Sequence, residues 1–290
     1  MYNQILFPTD GSEPAEAALD YVVQVAAEHD ATLHVLNVTD ISQVSLHEVR
    51  DDVLDGLERE GQTIVDEAAQ HATDRGITTV SEVVRGDPYR SIVEYSNGSG
   101  VDLIAMPTHG RHGLERFLLG SVTERVINTA EVPVVAINPD RNQPLTYPCR
   151  ELLVPIDGSR GADLALTEGI AVAEETGATL HLLHVVETGS PGADTHSPLA
   201  DERSERAKEI ISEATAATES SVPEVETAIE YGAPAKRIQR YIDEHGIELA
   251  VLGVHGETEF SRYMMGGVSA KIIRTAEIPV MWVREPATSQ

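Results

Sequence analysis

Short runs of apolar, largely β-branched residues alternate along this chain with longer segments whose apolar positions recur at helical spacing. That is the pattern of a parallel sheet wrapped by helices. In the first half, strands are predicted near Gln4–Phe7, Thr32–Val38, Thr79–Arg85, Leu103–Met106 and Val134–Ile137. Each is read as an uninterrupted apolar run, because a sheet covered on both faces has no polar side. After the first strand, Leu19, Val23 and Ala26 fall at i, i+4 and i+7 and are assigned to the core, as are Leu166, Ile170 and Ala173 of the second half. Further helices are predicted to begin near Pro88 and Pro234, since a proline in the first turn lacks an N–H that would have no helical partner there.

The pattern occurs twice. ILFPTDGS from Ile5 returns as LLVPIDGS from Leu152, and ATLHVLNV from Ala31 returns as ATLHLLHV from Ala178. VVRGDP ending at Pro88 is matched by IEYGAP ending at Pro234, and NTAEVPVVAI from Asn128 by RTAEIPVMWV from Arg274. The offset stays at 147 or 146 throughout, which marks an internal duplication. The predicted fold class is therefore α/β, with two tandem Rossmann-like, doubly wound, five-stranded parallel-sheet domains over residues 1–139 and 150–290. Residues 140–149 form the linker, whose Pro, Asn and Asp interrupt regular structure.

Composition narrows the function classes. The 290 residues include 48 acidic and 21 basic ones, for a net charge of -27. Such a surface repels nucleic acid and anionic membranes, so neither is expected as a partner. Only Lys208, Lys236 and Lys271 are lysines. An acid-rich, lysine-poor surface points to a high-salt interior, where screening removes self-repulsion. A thermal midpoint that climbs steeply from low to molar salt is the expected outcome, and a flat response would contradict it. Neither a basic leader nor a span-length apolar run is visible, so a cytoplasmic location is expected. The single cysteine, Cys149, excludes an internal disulfide and a cysteine-based metal cluster.

In open parallel sheets ligands bind beyond the carboxyl ends of the strands. The first such loop carries Asp10 in one copy and Asp157 in the other, followed by Gly11–Ser12 and Gly158–Ser159. A carboxylate there can accept hydrogen bonds from a ribose or a base. The plainer alternative is that Asp starts a turn while Ser12 or Ser159 caps the next helix. After the fourth strand the chain reads MPTHGRHGLERFLLGSV from Met106 and LGVHGETEFSRYMMGGV from Leu252. Gly110 and Gly256 are each separated by nine residues from Gly120 and Gly266, which precede a helix. Glycine lets an anion approach the backbone, and a helix N-terminus offers unpaired N–H groups, so a phosphate site is indicated. It is no P-loop, since the required lysine and spacing are missing. Ser121 and Glu124 could instead form a capping box. His109, His112 and His255 invite a metal reading, but no nearby cysteine completes a ligand set and no metal is assigned. No histidine is placed to activate either serine, so no catalytic residue is assigned.

These motifs resemble the universal stress protein family, whose ATP-binding members show G-x-x-G, nine residues, then G-[ST] after strand four. The resemblance spans both halves. It implies that Asp10 and Asp157 meet the ribose or adenine, Val38 and Val185 the adenine, and that Met106 and Leu252 flank the base. Gly110, Gly120 and Ser121, with Gly253, Gly256, Gly266 and Gly267, would hold ribose and phosphates, helped by the N–H groups of Val122 and Val268. It also implies a pseudo-dimer in which Val134–Ile137 pairs with Val280–Val283, with a homodimer of the tandem chain as a further form. Each copy departs from the motif. Pro107 replaces the first glycine of copy one, and Gly267 replaces the hydroxyl residue of copy two. A fixed φ and a lost N–H at Pro107 disturb more than one lost hydroxyl, which ranks the second site above the first. The implied function is ATP binding, with or without Mg2+, in a ligand-dependent stress regulator showing at most slow hydrolysis. The alternative is a dimerisation or interaction protein that binds no nucleotide.

Overall fold

The structure, a computed structural model, describes residues 2–40, 51–110, 119–138, 145–187, 198–218, 221–254 and 267–285. The chain forms two compact units, Met1–Pro148 and Cys149–Gln290. In the first unit the elements run β1 (Gln4–Pro8), α1 (Glu13–Glu28), β2 (Thr32–Asp40), α2 (Asp51–Thr73), β3 (Thr79–Gly86), α3 (Pro88–Gly98), β4 (Leu103–Pro107), α4 (Ser121–Thr129) and β5 (Val134–Ile137). In the second they run β6 (Glu151–Pro155), α5 (Arg160–Thr176), β7 (Thr179–Val186), α6 (Pro198–Thr218), β8 (Val225–Tyr231), α7 (Pro234–His245), β9 (Leu249–Gly253), α8 (Gly267–Thr275) and β10 (Val280–Val283). The two units repeat one plan, and helices α3 and α7 begin at Pro88 and Pro234 as the sequence predicts.

The strands of the first unit lie in the order β3-β2-β1-β4-β5, and those of the second in the order β8-β7-β6-β9-β10. All the pairings within each unit are parallel. The central strands β1 and β6 are sealed on both faces: Ile5, Leu6, Leu152, Leu153 and Val154 expose no surface. The outer strands β3 and β8 differ from the predicted unbroken apolar runs. They mix half-buried and exposed positions, with no fully buried residue and with Val80 at 42% exposure, as strands with a single neighbour on one side can.

On the helices, Leu19, Val23, Ala26, Leu166 and Ala173 are buried as the periodicity requires. Ile170 is only half-buried. The helix instead presses Gly169 onto β6, where a Cβ would stand 2.5 Å from Val154 Cγ2. That close approach turns Ile170 to the side of the interface. Cys149 is buried at the start of the second unit, and desolvation pushes its thiol up to about 12, so it stays protonated and unreactive at neutral pH. Just before it, Tyr147 is tied to the first unit by its hydroxyl on His29 Nε2 (2.9 Å) and its N–H on Gln24 Oε1 (3.1 Å).

Candidate functional site

Each unit opens at one place. Strand β1 is in register with β2 along its whole length but with β4 only at Ile5↔Leu103 and Leu6↔Ile104. Likewise β6 meets β9 only at Leu152↔Leu249 and Leu153↔Ala250. Beyond those residues the neighbouring strands part, because the chain winds outward in one direction from β1 or β6 and in the other from β4 or β9. That reversal leaves a crevice at the carboxyl ends, where ligands bind in sheets of this type.

In the second unit the crevice is a pocket of about 690 Å³. Six residues singled out in the sequence line it: Asp157, Val185, Leu252, Gly253, Gly267 and Val268. Asp157 and Ser159 play the two parts that seemed alternatives. Asp157 Oδ1 accepts the Ser159 N–H at 2.9 Å, forming an Asx turn, and Ser159 Oγ accepts the Ala162 N–H at 3.2 Å to cap α5. Between them Gly158 holds φ at 79° beneath the Ile210 side chain. Among the described residues no hydrogen bond engages Asp157 Oδ2, which remains available at the pocket wall.

The floor and the far wall are equally constrained. His184 Nδ1 lies 2.8 Å from the Ile156 carbonyl. A carbonyl only accepts, so Nδ1 carries a hydrogen and donates it to Ile156. Gly253 closes β9 against the first turn of α5, where a Cβ would stand 2.6 Å from both the carbonyl carbon and oxygen of Gly161. Ser269 Oγ donates to the Gly253 carbonyl (3.2 Å), fixing the first turn of α8 to the strand end. The N–H groups of that turn, from Gly267 and Val268, have no helical partner and carry the positive end of the helix dipole. Gly256 and Gly266 lie outside the described residues.

The first unit repeats much of this frame. Asp10 Oδ1 accepts the Ser12 N–H (3.0 Å), Ser12 caps α1, and Asn37 Nδ2 donates to the Thr9 carbonyl (2.8 Å) where His184 serves in the other unit. Gly110 passes close over Asp10: a Cβ there would be 2.4 Å from Oδ2. Thr123 Oγ1 donates to the Pro107 carbonyl (2.9 Å), matching Ser269. The capping box that Ser121 and Glu124 offered as the alternative does not form. The N-cap is Gly120, which makes no side-chain bond, and exposed Ser121 is the first helical residue, with Val122 half-buried after it. Pro107 ends β4 in register with Ile137. The N–H groups of Ile104 and Thr108 go to the carbonyls of Pro133 and Ile137 on the β5 side, so strand alternation turns the Pro107 nitrogen towards the β1 side, where the strands have already separated. Met106 is buried and Val38 half-buried, like Leu252 and Val185. His109 is buried, its Nδ1 3.1 Å from Thr108 Oγ1. His112 and His255 lie outside the described residues.

Two arginines on α6, Arg203 and Arg206, also line the pocket and were not singled out in the sequence. Arg203 Nη1 reaches the Glu187 carbonyl at 3.4 Å, and Arg206 makes an exposed pair with Glu209 at 3.4 Å. The equivalent positions on α2 follow from the isoleucines that lie over the turn glycines, Ile210 on Gly158 and Ile64 on Gly11. Counting back four and seven residues gives Arg206 and Arg203 in one unit but Glu60 and Leu57 in the other. Aligning the two helices on those isoleucines would have exposed this charge reversal in the sequence.

Comparison with known proteins agrees with the duplicated plan. The universal stress protein family matches residues 1–138 and again residues 149–284. A universal stress protein of Methanocaldococcus jannaschii is 34% identical over 146 residues, covering 49% of this chain and 86% of its own length. One from Mycolicibacterium smegmatis is 26% identical over 290 residues, 97% of this chain and 96% of its own. Among solved structures, a universal stress protein from Archaeoglobus fulgidus shares 28% identity and a TM-score of 0.75, covering 98% of this chain and 99% of its own. The chain therefore belongs to the universal stress protein family and carries two of its domains in tandem.

Proposed function

We propose that the second unit binds an adenine nucleotide and that the protein acts as a nucleotide-dependent regulatory module in stress adaptation. The observation that carries this reading is the convergence, in one 690 Å³ pocket, of Asp157, the first turn of α8, and Arg203 with Arg206. The volume lies in the range of about 300–1,000 Å³ usual for small-molecule sites. Leu252 and Val185 supply apolar walls for a base, and the Asp157 carboxylate supplies an acceptor for ribose hydroxyls or an exocyclic amine. The open N–H groups of α8 suit phosphate. The arginines matter because the chain carries a net charge of -27, which on its own would disfavour a polyanion.

Turnover is not part of this proposal. Among the described residues His184 is the imidazole that lines the pocket, and its Nδ1 is committed to a backbone carbonyl. The second reading, an interaction module without nucleotide, draws on the departures from the motif at Pro107 and Gly267. Protein incubated with ATP, desalted and heat-denatured should release an adenine nucleotide into the supernatant. Release no greater than from an unrelated protein treated identically would favour the second reading.

A further inference from the structure

At the opposite end of the second unit's strands, near their amino ends, a second group of polar side chains gathers around His181. This imidazole is buried, with 3% of its side chain exposed. Three elements converge on it. Glu151 begins β6 and shares a face with His181, since Leu153, two residues on, is in register with it. Glu226 on β8 is its cross-strand neighbour on the other side. Helix α7 brings Tyr241 and His245, four residues apart and stacked with ring centroids 3.9 Å apart.

The hydrogen bonds fix the orientation of the ring. Glu151 Oε2 lies 2.7 Å from His181 Nε2, and a carboxylate accepts, so Nε2 carries the hydrogen. Nδ1 lies 3.0 Å from the Tyr241 hydroxyl and 3.5 Å from Glu226 Oε2. One donor atom each from His181, Glu226 and His245 lie within 4.8 Å of one another. We propose that His181 Nδ1, Glu226 and His245 form a binding site for a divalent transition-metal ion of the zinc class, with Glu151 as the carboxylate that orients His181.

Two imidazoles and one carboxylate are a ligand set that zinc accepts, with water in the fourth position. Tetrahedral ligands about 2.0–2.1 Å from zinc stand about 3.3 Å apart. The His181–Glu226 separation is already close to this, and the remaining closure falls on the exposed side chains of Glu226 and His245. A carboxylate holding the far nitrogen of a ligating histidine is the usual partner in such sites. On loading, the Tyr241 hydroxyl gives up Nδ1 to the metal.

The first unit supplies an internal comparison. There His34 Nε2 meets Gln4 Oε1 at 2.6 Å and Nδ1 meets the Tyr95 hydroxyl at 2.9 Å, so the same buried histidine–tyrosine pair is kept. Its cross-strand neighbour is Val80, and the residue four beyond Tyr95 is Ser99. Among the described residues the buried histidine of the first unit is thus held without a hydrogen-bonded carboxylate or a second imidazole, although Asp102 and Glu82 act on it from further away. The second unit adds Glu226 and His245 at the two further ligand positions, along with the orienting Glu151.

Competition of the full, metal-stripped chain with a chromophoric chelator for Zn2+ at neutral pH tests the site. The expected result is one tight equivalent that Mg2+ does not displace, accompanied by a higher thermal midpoint. Glu226→Gln and His245→Ala, both at exposed positions that the core does not need, should each weaken Zn2+ at least tenfold. Glu151→Gln should weaken it by about 10–100-fold, with the circular dichroism of all three variants unchanged. A wild-type chain that takes up no stoichiometric Zn2+, or uptake indifferent to Glu226→Gln and His245→Ala, would overturn the assignment. It would leave His181 as a purely structural histidine between two glutamates.

Discussion

Replacing Gly253 by valine should destabilise the second unit by about 1–3 kcal/mol, the usual cost of forcing extra methyl groups into a packed site. In calorimetry this is a drop of about 2–4 °C for each kcal/mol in a domain of this size. The reason is local and specific. A Cβ at this position meets the carbonyl carbon and oxygen of Gly161 at 2.6 Å and its Cα at 3.0 Å, all backbone of the first turn of α5. No side chain can swing aside, so the turn itself must move away from β9. That turn follows directly on the Asp157–Ser159 loop, and the same substitution should weaken any ligand that touches Asp157. Pro107→Val at the matching place of the first unit should change stability by less than about 1 kcal/mol, since valine suits a strand and the proline nitrogen faces a gap between strands. A melting profile unaltered by Gly253→Val would show that the glycine is not required by packing.

Much of this architecture is legible before any coordinates. The alternation of apolar runs with helical periods and the fixed offset between copies give the two α/β units, because buried parallel strands leave little freedom in residue choice. The helix starts at Pro88 and Pro234 follow from the missing N–H of proline alone. What stayed hidden depends on contacts between distant segments. The sequence shows Gly253 as a ligand-loop glycine, but its tightest neighbour is Gly161, ninety-two residues earlier on another element. Ser121 looks like a capping residue because Glu124 follows three positions on, yet Gly120 takes the cap when the chain enters α4 from Thr108, whose carbonyl accepts the Gly120 N–H at 2.8 Å. Arg203 and Arg206 sit in an unremarked acidic helix, and only the fold carries them to the pocket. The cluster at His181 draws on β6, β7, β8 and α7, with no short motif to announce it.

The inequality of the two crevices is the central claim, and it rests on charge. Where the second pocket has Arg203 and Arg206, the equivalent positions of the first unit are Leu57 and Glu60, so on the proposed reading a polyphosphate would be attracted in one unit and repelled in the other. Asp157→Asn separates binding from folding, because asparagine also forms the turn to Ser159 but replaces the second carboxylate oxygen with an amide donor. Losing a hydrogen bond to a charged group costs about 1.5–3 kcal/mol, or about 10–150-fold in Kd. The decisive measurement is a calorimetric titration of the full chain with ATP, run on the wild type, Asp157→Asn and Asp10→Asn. The expected result is one dominant site that Asp157→Asn weakens at least tenfold and Asp10→Asn leaves within about threefold, the scale of 0.6 kcal/mol. Equal losses from the two variants, or the larger loss from Asp10→Asn, would contradict the account.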